Sequence, residues 1–161
     1  MLDQTEVQPV GLGARDSLRL AAGLCLHGND IHHTVTPVAA GLSWAIPASR
    51  RKGGSKTGGF PGSERILLEL ENGPALTRVG IQPEGRAPVR AHSEIVTAMG
   101  ESIGEVSSGS YGPTVGRPIA MGYVKSTYSD LGTELQAMVR GKPLSIKVCD
   151  LPFVQHNYKR I

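Results

Sequence analysis

The sequence predicts a mainly β protein with one short α-helical segment, and three observations support this fold class. The 161 residues include 21 glycines and 11 prolines without a G-X-Y period, a composition typical of a turn-rich β protein. From about position 65 onward, short apolar runs alternate with turn residues. Only 19% of the residues are charged, so the chain has enough apolar surface to form a core.

The segment that begins at Gly13 and ends at Gly23 predicts the helix. Good helix formers fill it, and Ala14, Leu18 and Ala22 recur at four-residue spacing. The next residues, 27–30, predict a turn.

Arg15 and Arg19 are also four residues apart, so both guanidinium groups are expected on one side of this helix, near Asp16. Two interpretations remain open. Asp16 and a second carboxylate satisfy both cations structurally, or one arginine binds an anionic ligand through its two-pronged hydrogen-bonding geometry.

After Pro37 an extended stretch predicts a strand at 42–46 with a buried Trp44. Seven later apolar runs are separated by glycine or proline at the spacing of strands in a small antiparallel barrel. The serine-rich segment 108–112 is predicted to be a turn. The run at 65–70 also fits helical spacing, so a strand and a helix both remain possible there. The runs are 65–70, 76–81, 94–98, 102–107, 119–124, 134–139 and 144–148.

No metal site is predicted. Cys25 and Cys149 lack the spacing of a metal knuckle and are expected to be reduced, mostly buried thiols. Adjacent His32 and His33 are expected on opposite sides of an extended segment. No apolar run is long enough for a membrane span.

The residues of segment 50–56 carry four of the chain's cations and lie among glycines. This basic segment is predicted to be a solvated, flexible loop, because no aromatic residue precedes Phe60 to stack on bases, so nucleic-acid binding is not favoured. Its residues 54–57 do not complete a phosphate-binding Walker loop.

A series of short motifs, taken together, resembles the aminomethyltransferases, the T-proteins of the glycine cleavage system, over residues 10–158. The basic segment followed by Phe60 is most similar to the mitochondrial members. The motifs are GLGARDSLRL at 11–20, GNDI at 28–31, TPV at 36–38, AGLSW at 40–44, RVG at 78–80, IAMGYV at 119–124 and PFV at 152–154.

The resemblance implies a fold and a domain organisation. Residues 1–47 would be the end of an α/β folate-binding domain, 48–59 a flexible basic linker, and 60–161 a carboxyl-terminal Greek-key or jelly-roll-like antiparallel β-barrel. Family members are more than twice as long, so the chain is expected to be a carboxyl-terminal fragment or short paralogue. The catalytic aspartate of the family would lie in the missing half, which leaves no catalytic residue in this chain.

The resemblance also implies an activity, transfer of a methylene unit from the aminomethyl-lipoyl H-protein to tetrahydrofolate with release of ammonia, in the mitochondrial matrix. Arg15 and Tyr158 match folate-binding positions of the family and are expected to meet in space. Tetrahydrofolate is the acceptor substrate, and no metal is implied.

Two residues depart from the family pattern, and an alternative function also remains open. Ala21 stands where a glutamate is usual, and His27 where a tyrosine is usual. Without that glutamate, a neighbouring arginine is expected to be held less firmly, and ligand binding is expected to be weaker. The alternative is a noncatalytic β-barrel subunit, derived from a T-protein, that serves in assembly or interaction.

Overall fold

The computed structural model describes residues 3–157, which form two α-helices and six β-strands. Helix α1 spans Leu12–Ala21 and α2 spans Ser63–Asn72. None of the described helices has the length and apolarity of a membrane span. The strands are β1 Leu76–Pro83, β2 Glu94–Val96, β3 Ser102–Gly112, β4 Arg117–Lys125, β5 Glu134–Val139 and β6 Lys142–Cys149.

The six strands close into an antiparallel barrel in the order β1-β4-β3-β2-β5-β6. Strands β2, β3 and β4 are consecutive neighbours, and β1 lies beside β4, which is Greek-key order. Closure between β1 and β6 leaves no long unpaired edge. The predicted barrel is confirmed.

Strand β4 packs on both of its faces. Its residues 118–122 are all buried, although a strand with one wet face would alternate. Ala120 and Val124 face the barrel core, whereas Ile119 and Met121 belong to a second cluster with Leu20 of α1. The helix therefore covers the outside of the barrel at β4.

A buried carboxylate fixes α1 against the barrel. Asp30 is fully buried, and its Oδ2 accepts hydrogen bonds from Arg19 Nη1 at 2.5 Å, the Leu26 amide at 2.8 Å and Ser108 Oγ at 3.0 Å. Its Oδ1 accepts from Ser107 Oγ at 2.5 Å, and Arg19 also donates to Ser108 Oγ at 2.8 Å. One ion pair thus joins the helix, the turn after it and strand β3.

The prediction of a strand at 42–46 with a buried Trp44 is wrong. Residues Ser43–Ala45 form a 3-10 helix, and the Trp44 side chain is 78% exposed. The amides of Ala45 and Ile46 donate to carbonyls three residues earlier, after a left-handed Gly41 with φ of 68°. The chain curls on itself here because no neighbouring strand is present to pair with it.

Two further predictions are resolved by local contacts. The run at 65–70 is helical and lies inside α2, which begins after a left-handed Gly62 and ends before Gly73. The turn predicted at 108–112 is wrong, because these residues extend β3 and pair with β4 up to Arg117.

Both thiols are free and half-buried. Burial raises the pKa of Cys149 to about 11, and it also raises the pKa of Cys25. Two free thiols agree with the prediction of reduced cysteines, whereas the predicted burial of their side chains is only partial.

Gly109 should tolerate no side chain, because a Cβ on it would lie 1.9 Å from the carbonyl oxygen of Val89. We expect Gly109→Ala to lower the free energy of unfolding by about 1–3 kcal/mol or more through backbone displacement, measured by urea denaturation. Gly13→Ala is the control, since its Cβ would meet nothing within 4 Å. Equal stabilities of the two variants would contradict the close approach.

Asp30→Ala should destabilise the chain by about 3–5 kcal/mol, because it leaves the Arg19 guanidinium, whose side chain is 10% exposed, without its buried partner. Glu134→Ala serves as the matched control, since Glu134 is exposed and lies 3.9 Å from Lys147. Urea unfolding of both variants measures the difference. A loss below about 1 kcal/mol for Asp30→Ala would show that the ion pair does not hold α1.

Candidate functional site

The two arginines of α1 have different environments. Arg19 turns inward, where Asp16 and Asp30 hold it at 2.8 Å and 2.5 Å. Arg15 lies on the exposed face and makes no hydrogen bond or ion pair with residues 3–157. The structural interpretation therefore applies to Arg19, and Arg15 is the arginine available for an anionic ligand.

The other predicted ligand residue, Tyr158, lies outside the described residues. The segment just before it contacts α1: the Val154 amide donates to the Ala21 carbonyl at 3.0 Å, and the His156 ring Nε2 lies 2.8 Å from the Ala22 carbonyl. Phe153 and Val154 also pack on the cluster around Leu20. The carboxyl-terminal segment thus follows the end of α1, and a meeting of Arg15 with Tyr158 stays a prediction.

A groove of about 180 Å³ lies between this segment and α1, next to these contacts. Its helical wall includes Leu18, which lies three residues from Arg15 and hence on the same helix face. An apolar wall, with Arg15 one helical turn away and without a partner among residues 3–157, suits a ligand with both an apolar part and a carboxylate. The groove is lined by Leu18, Ala21, Ala22, Thr114 and residues 154–157.

Ala21 occupies the inner end of this groove. It is buried, and its carbonyl accepts the Val154 amide. The carboxylate absent here is not needed to hold Arg19, since Asp16 and Asp30 already do so. Any effect of Ala21 on ligand binding must therefore act through Arg15 or the groove.

A larger cleft of about 340 Å³ lies between the 29–39 loop, α2 and the outside of the barrel. Two polar pairs face it: Arg65 Nε lies 2.8 Å from Glu69 Oε1, and His92 Nδ1 lies 2.8 Å from Glu105 Oε1. Tyr123 at its wall donates to the Asp30 carbonyl at 2.6 Å, and burial raises the pKa of its phenol well above the ordinary range. The phenol therefore stays protonated at neutral pH.

Sequence reasoning missed this cleft because its walls come from distant parts of the chain. Arg65 donates to the Thr34 carbonyl at 3.2 Å across 31 positions, and Thr36 donates to Glu69 across 33. No local pattern marks such contacts. Its arginine, Arg65, is already paired with Glu69, so Arg15 remains the better candidate for an anion.

Histidines 32 and 33 do not point apart as predicted. Their ring centroids are 6.0 Å apart in an edge-on arrangement, because residues 33–34 form a turn rather than an extended segment. Within residues 3–157 no group of three or more potential metal ligands is found.

The basic segment is held by its own arginines. Arg50 donates to the Gly58 carbonyl at 2.9 Å, and Arg51 donates to the Ser43 and Ile46 carbonyls at 2.7 Å and 3.0 Å. Lys52 pairs with Glu71 of α2. The prediction of a solvated loop is therefore wrong for both arginines, which stabilise the turns between Ser43 and Gly58.

Comparisons with known proteins agree with these features. The family model "Glycine cleavage T-protein C-terminal barrel domain" matches residues 77–155, the barrel, and "GCVT N-terminal domain" matches residues 2–50. The chain is similar to mitochondrial aminomethyltransferase of Flaveria trinervia, with 49% identity over 98% of this chain and 38% of the relative. A probable mitochondrial aminomethyltransferase of Schizosaccharomyces pombe is 46% identical over 98% of this chain and 39% of its own length.

A solved structure is also similar to this chain. The glycine cleavage system aminomethyltransferase T from Bartonella henselae matches with a TM-score of 0.90 and 43% identity, over 99% of this chain and 43% of that one. The chain thus spans less than half the length of these relatives. It belongs to the glycine cleavage T-protein family and corresponds to the carboxyl-terminal portion of an aminomethyltransferase.

Proposed function

We propose that this chain supplies the carboxyl-terminal portion of an aminomethyltransferase. That enzyme transfers a methylene unit from the aminomethyl group on the lipoyl arm of the H-protein to tetrahydrofolate, and ammonia is released. The relatives from Flaveria trinervia and Schizosaccharomyces pombe are called mitochondrial, which supports a mitochondrial location. Within the mitochondrion we propose the matrix.

The observation that carries the proposal is Arg15, a cation without a partner among residues 3–157, three residues from Leu18 in the wall of an apolar groove. Tetrahydrofolate carries both a carboxylate-bearing glutamyl tail and aromatic rings. The guanidinium of Arg15 would bind the carboxylate with two hydrogen bonds, and the Tyr158 phenol would add a directional one. The role of both residues is to bind and orient the acceptor.

The chemical step needs groups beyond these two. In the larger cleft the Arg65 guanidinium is paired with Glu69, His92 is hydrogen-bonded to Glu105, and the Tyr123 phenol stays protonated. A base that receives a proton during transfer would have to come from the remainder of the enzyme. The chain alone is expected to bind tetrahydrofolate weakly and to release no ammonia from the aminomethylated H-protein.

The domain organisation is part of the proposal. Residues 1–47 would form the end of the folate-binding domain, 48–59 the connection, and 60–161 the barrel domain. The match to the first family model ends at residue 50, inside that connection, and the match to the second begins at residue 77, which supports a boundary between them.

Arg15→Ala should weaken tetrahydrofolate binding by roughly 10- to 100-fold, because a hydrogen bond to a charged group contributes about 1.5–3 kcal/mol. The affinity of Arg15→Lys should lie between those of the parent chain and Arg15→Ala, since a lysine keeps the positive charge but lacks the two-pronged guanidinium. Anaerobic isothermal titration calorimetry measures the dissociation constants.

Arg86→Ala, in an exposed loop of the barrel, is the matched control and should bind as the parent chain does. Tyr158→Phe should weaken binding less than Arg15→Ala, since it removes one neutral hydrogen bond. If Arg15→Ala and Arg86→Ala bind tetrahydrofolate equally, Arg15 is not a folate ligand, and the noncatalytic assembly subunit becomes the better interpretation.

A further inference from the structure

An asparagine and a glycine, Asn72 and Gly73, follow one another where helix α2 ends. Both residues are exposed. Gly73 has a φ of 82° and a ψ of 156°, a combination that residues with a Cβ rarely adopt. A Cβ on Gly73 would meet no atom of a non-adjacent residue within 4 Å. The peptide bond after Asn72 therefore lies at the surface, with no side chain to crowd its nitrogen.

The side chain of an asparagine can react with the backbone nitrogen of the next residue. The Gly73 nitrogen loses its proton and attacks Cγ of Asn72, the C–N bond of the side-chain amide breaks, and ammonia leaves with the proton. The product is a cyclic succinimide. Water then adds to one ring carbonyl and breaks the ring C–N bond on that side, which leaves either aspartate or isoaspartate at position 72. Glycine favours the attack because it has no Cβ.

The last turn of α2 opposes this attack while it is closed. The Gly73 amide donates to the Glu69 carbonyl at 2.9 Å, a bond that fixes the attacking nitrogen. An ion pair between Lys52 and Glu71 also holds this turn. The Lys52 side chain is 76% exposed, so the ion pair adds little stability, and helix ends open locally at small cost in free energy. The open form of the turn is thus the form that reacts.

Residues 72–73 also join two anchored segments. On the helix side, Glu69 accepts a hydrogen bond from Thr36. On the other side, Ser126 Oγ donates to the Pro74 carbonyl at 2.5 Å, and the Ser126 amide donates to the Ala75 carbonyl at 3.0 Å. Glu69, Pro74 and Ala75 all line the cleft of about 340 Å³. A changed backbone at 72–73 would therefore change the wall of that cleft.

We propose that Asn72 is a site of spontaneous deamidation, that opening of the last turn of α2 sets its rate, and that the products loosen this end of the helix. Aspartate adds a negative charge next to Glu71 and at the helix C-terminus, where the helix dipole disfavours an anion. Isoaspartate carries the main chain through Cγ and inserts an extra backbone atom between the two anchored segments. The hydrogen bond from Gly73 to Glu69 then cannot re-form with its original geometry.

Asn29 provides a contrast within the same chain. It is exposed as well, but the next residue, Asp30, is fully buried. The Asp30 amide donates to the Leu26 carbonyl at 2.8 Å, and the Asp30 side chain is held by the ion pair with Arg19. The nitrogen that would attack Asn29 is therefore fixed and carries a substituted residue, so Asn29 should stay intact while Asn72 reacts.

The test incubates the full chain in mildly alkaline buffer and follows each asparagine by mass spectrometry of its peptides, with chromatography to separate aspartate from isoaspartate. Asn72 should deamidate roughly 10-fold or more faster than Asn29, because only Asn72 precedes a glycine. Hydrogen exchange in the last turn of α2 should be faster in the deamidated chain. Asn72→Gln, incubated in the same way, should keep its original exchange, because the longer side chain does not close the ring readily.

Lys52→Ala tests the role of the last turn. It removes the ion pair with Glu71, so the turn should open more often and Asn72 should deamidate about 2-fold or more faster than in the parent chain. Lys142→Ala is the matched control, since Lys142 is exposed in β6 and makes no ion pair with residues 3–157. It should leave the rate unchanged.

Each part of the proposal has a result that would overturn it. Equal rates at Asn72 and Asn29 would exclude Asn72 as a preferred site. Equal rates in Lys52→Ala and Lys142→Ala would exclude control by the last turn, and unchanged hydrogen exchange after deamidation would exclude loosening of the helix. None of these measurements involves tetrahydrofolate, so their failure and the failure of the proposed function are distinguishable.

Discussion

The ion pair between Arg19 and Asp30 is the interaction on which the arrangement of this molecule depends. An isolated buried carboxylate is far costlier than an exposed one, so every group around Asp30 must be in place together. Its oxygens accept from Arg19 of the helix, from the Leu26 amide and from Ser107 and Ser108 of β3. With α1 fixed in this way, its inward arginine is used for structure, and Arg15 is left facing outward.

The barrel supplies the surface on which that ion pair forms. Strand β4 is buried on both faces, since Ala120 points into the barrel and Met121 points toward α1. Close approach requires glycine at several strand positions, as at Gly104, where a Cβ would lie 2.0 Å from the Tyr123 carbonyl oxygen. The glycine excess therefore reflects strand packing as well as turns, although composition alone indicated turns.

The spacing of apolar residues predicted the elements whose formation depends on neighbouring residues in the sequence. The bounds of β5 and helix α1 follow closely from alternation and from four-residue spacing. Trp44 was misplaced because an apolar run becomes a strand only when a partner strand is available. The spacing of Arg15 and Arg19 placed both on one side of α1, but two partners of Arg19, Asp30 and Ser108, lie 11 and 89 positions away. Only the tertiary structure therefore shows which of the two arginines is structural.

The outer face of α1 follows from the same ion pair. Because Asp30 holds Arg19 on the inside, Arg15 is left at the surface, and the leucines three residues before and after it, Leu12 and Leu18, are exposed. Hydrogen bonds between a guanidinium and a carboxylate strengthen as water is excluded, and apolar side chains near the guanidinium would exclude water from a bound carboxylate. If Arg15 binds the acceptor as we propose, the buried ion pair of one arginine sets the orientation in which the other meets its ligand.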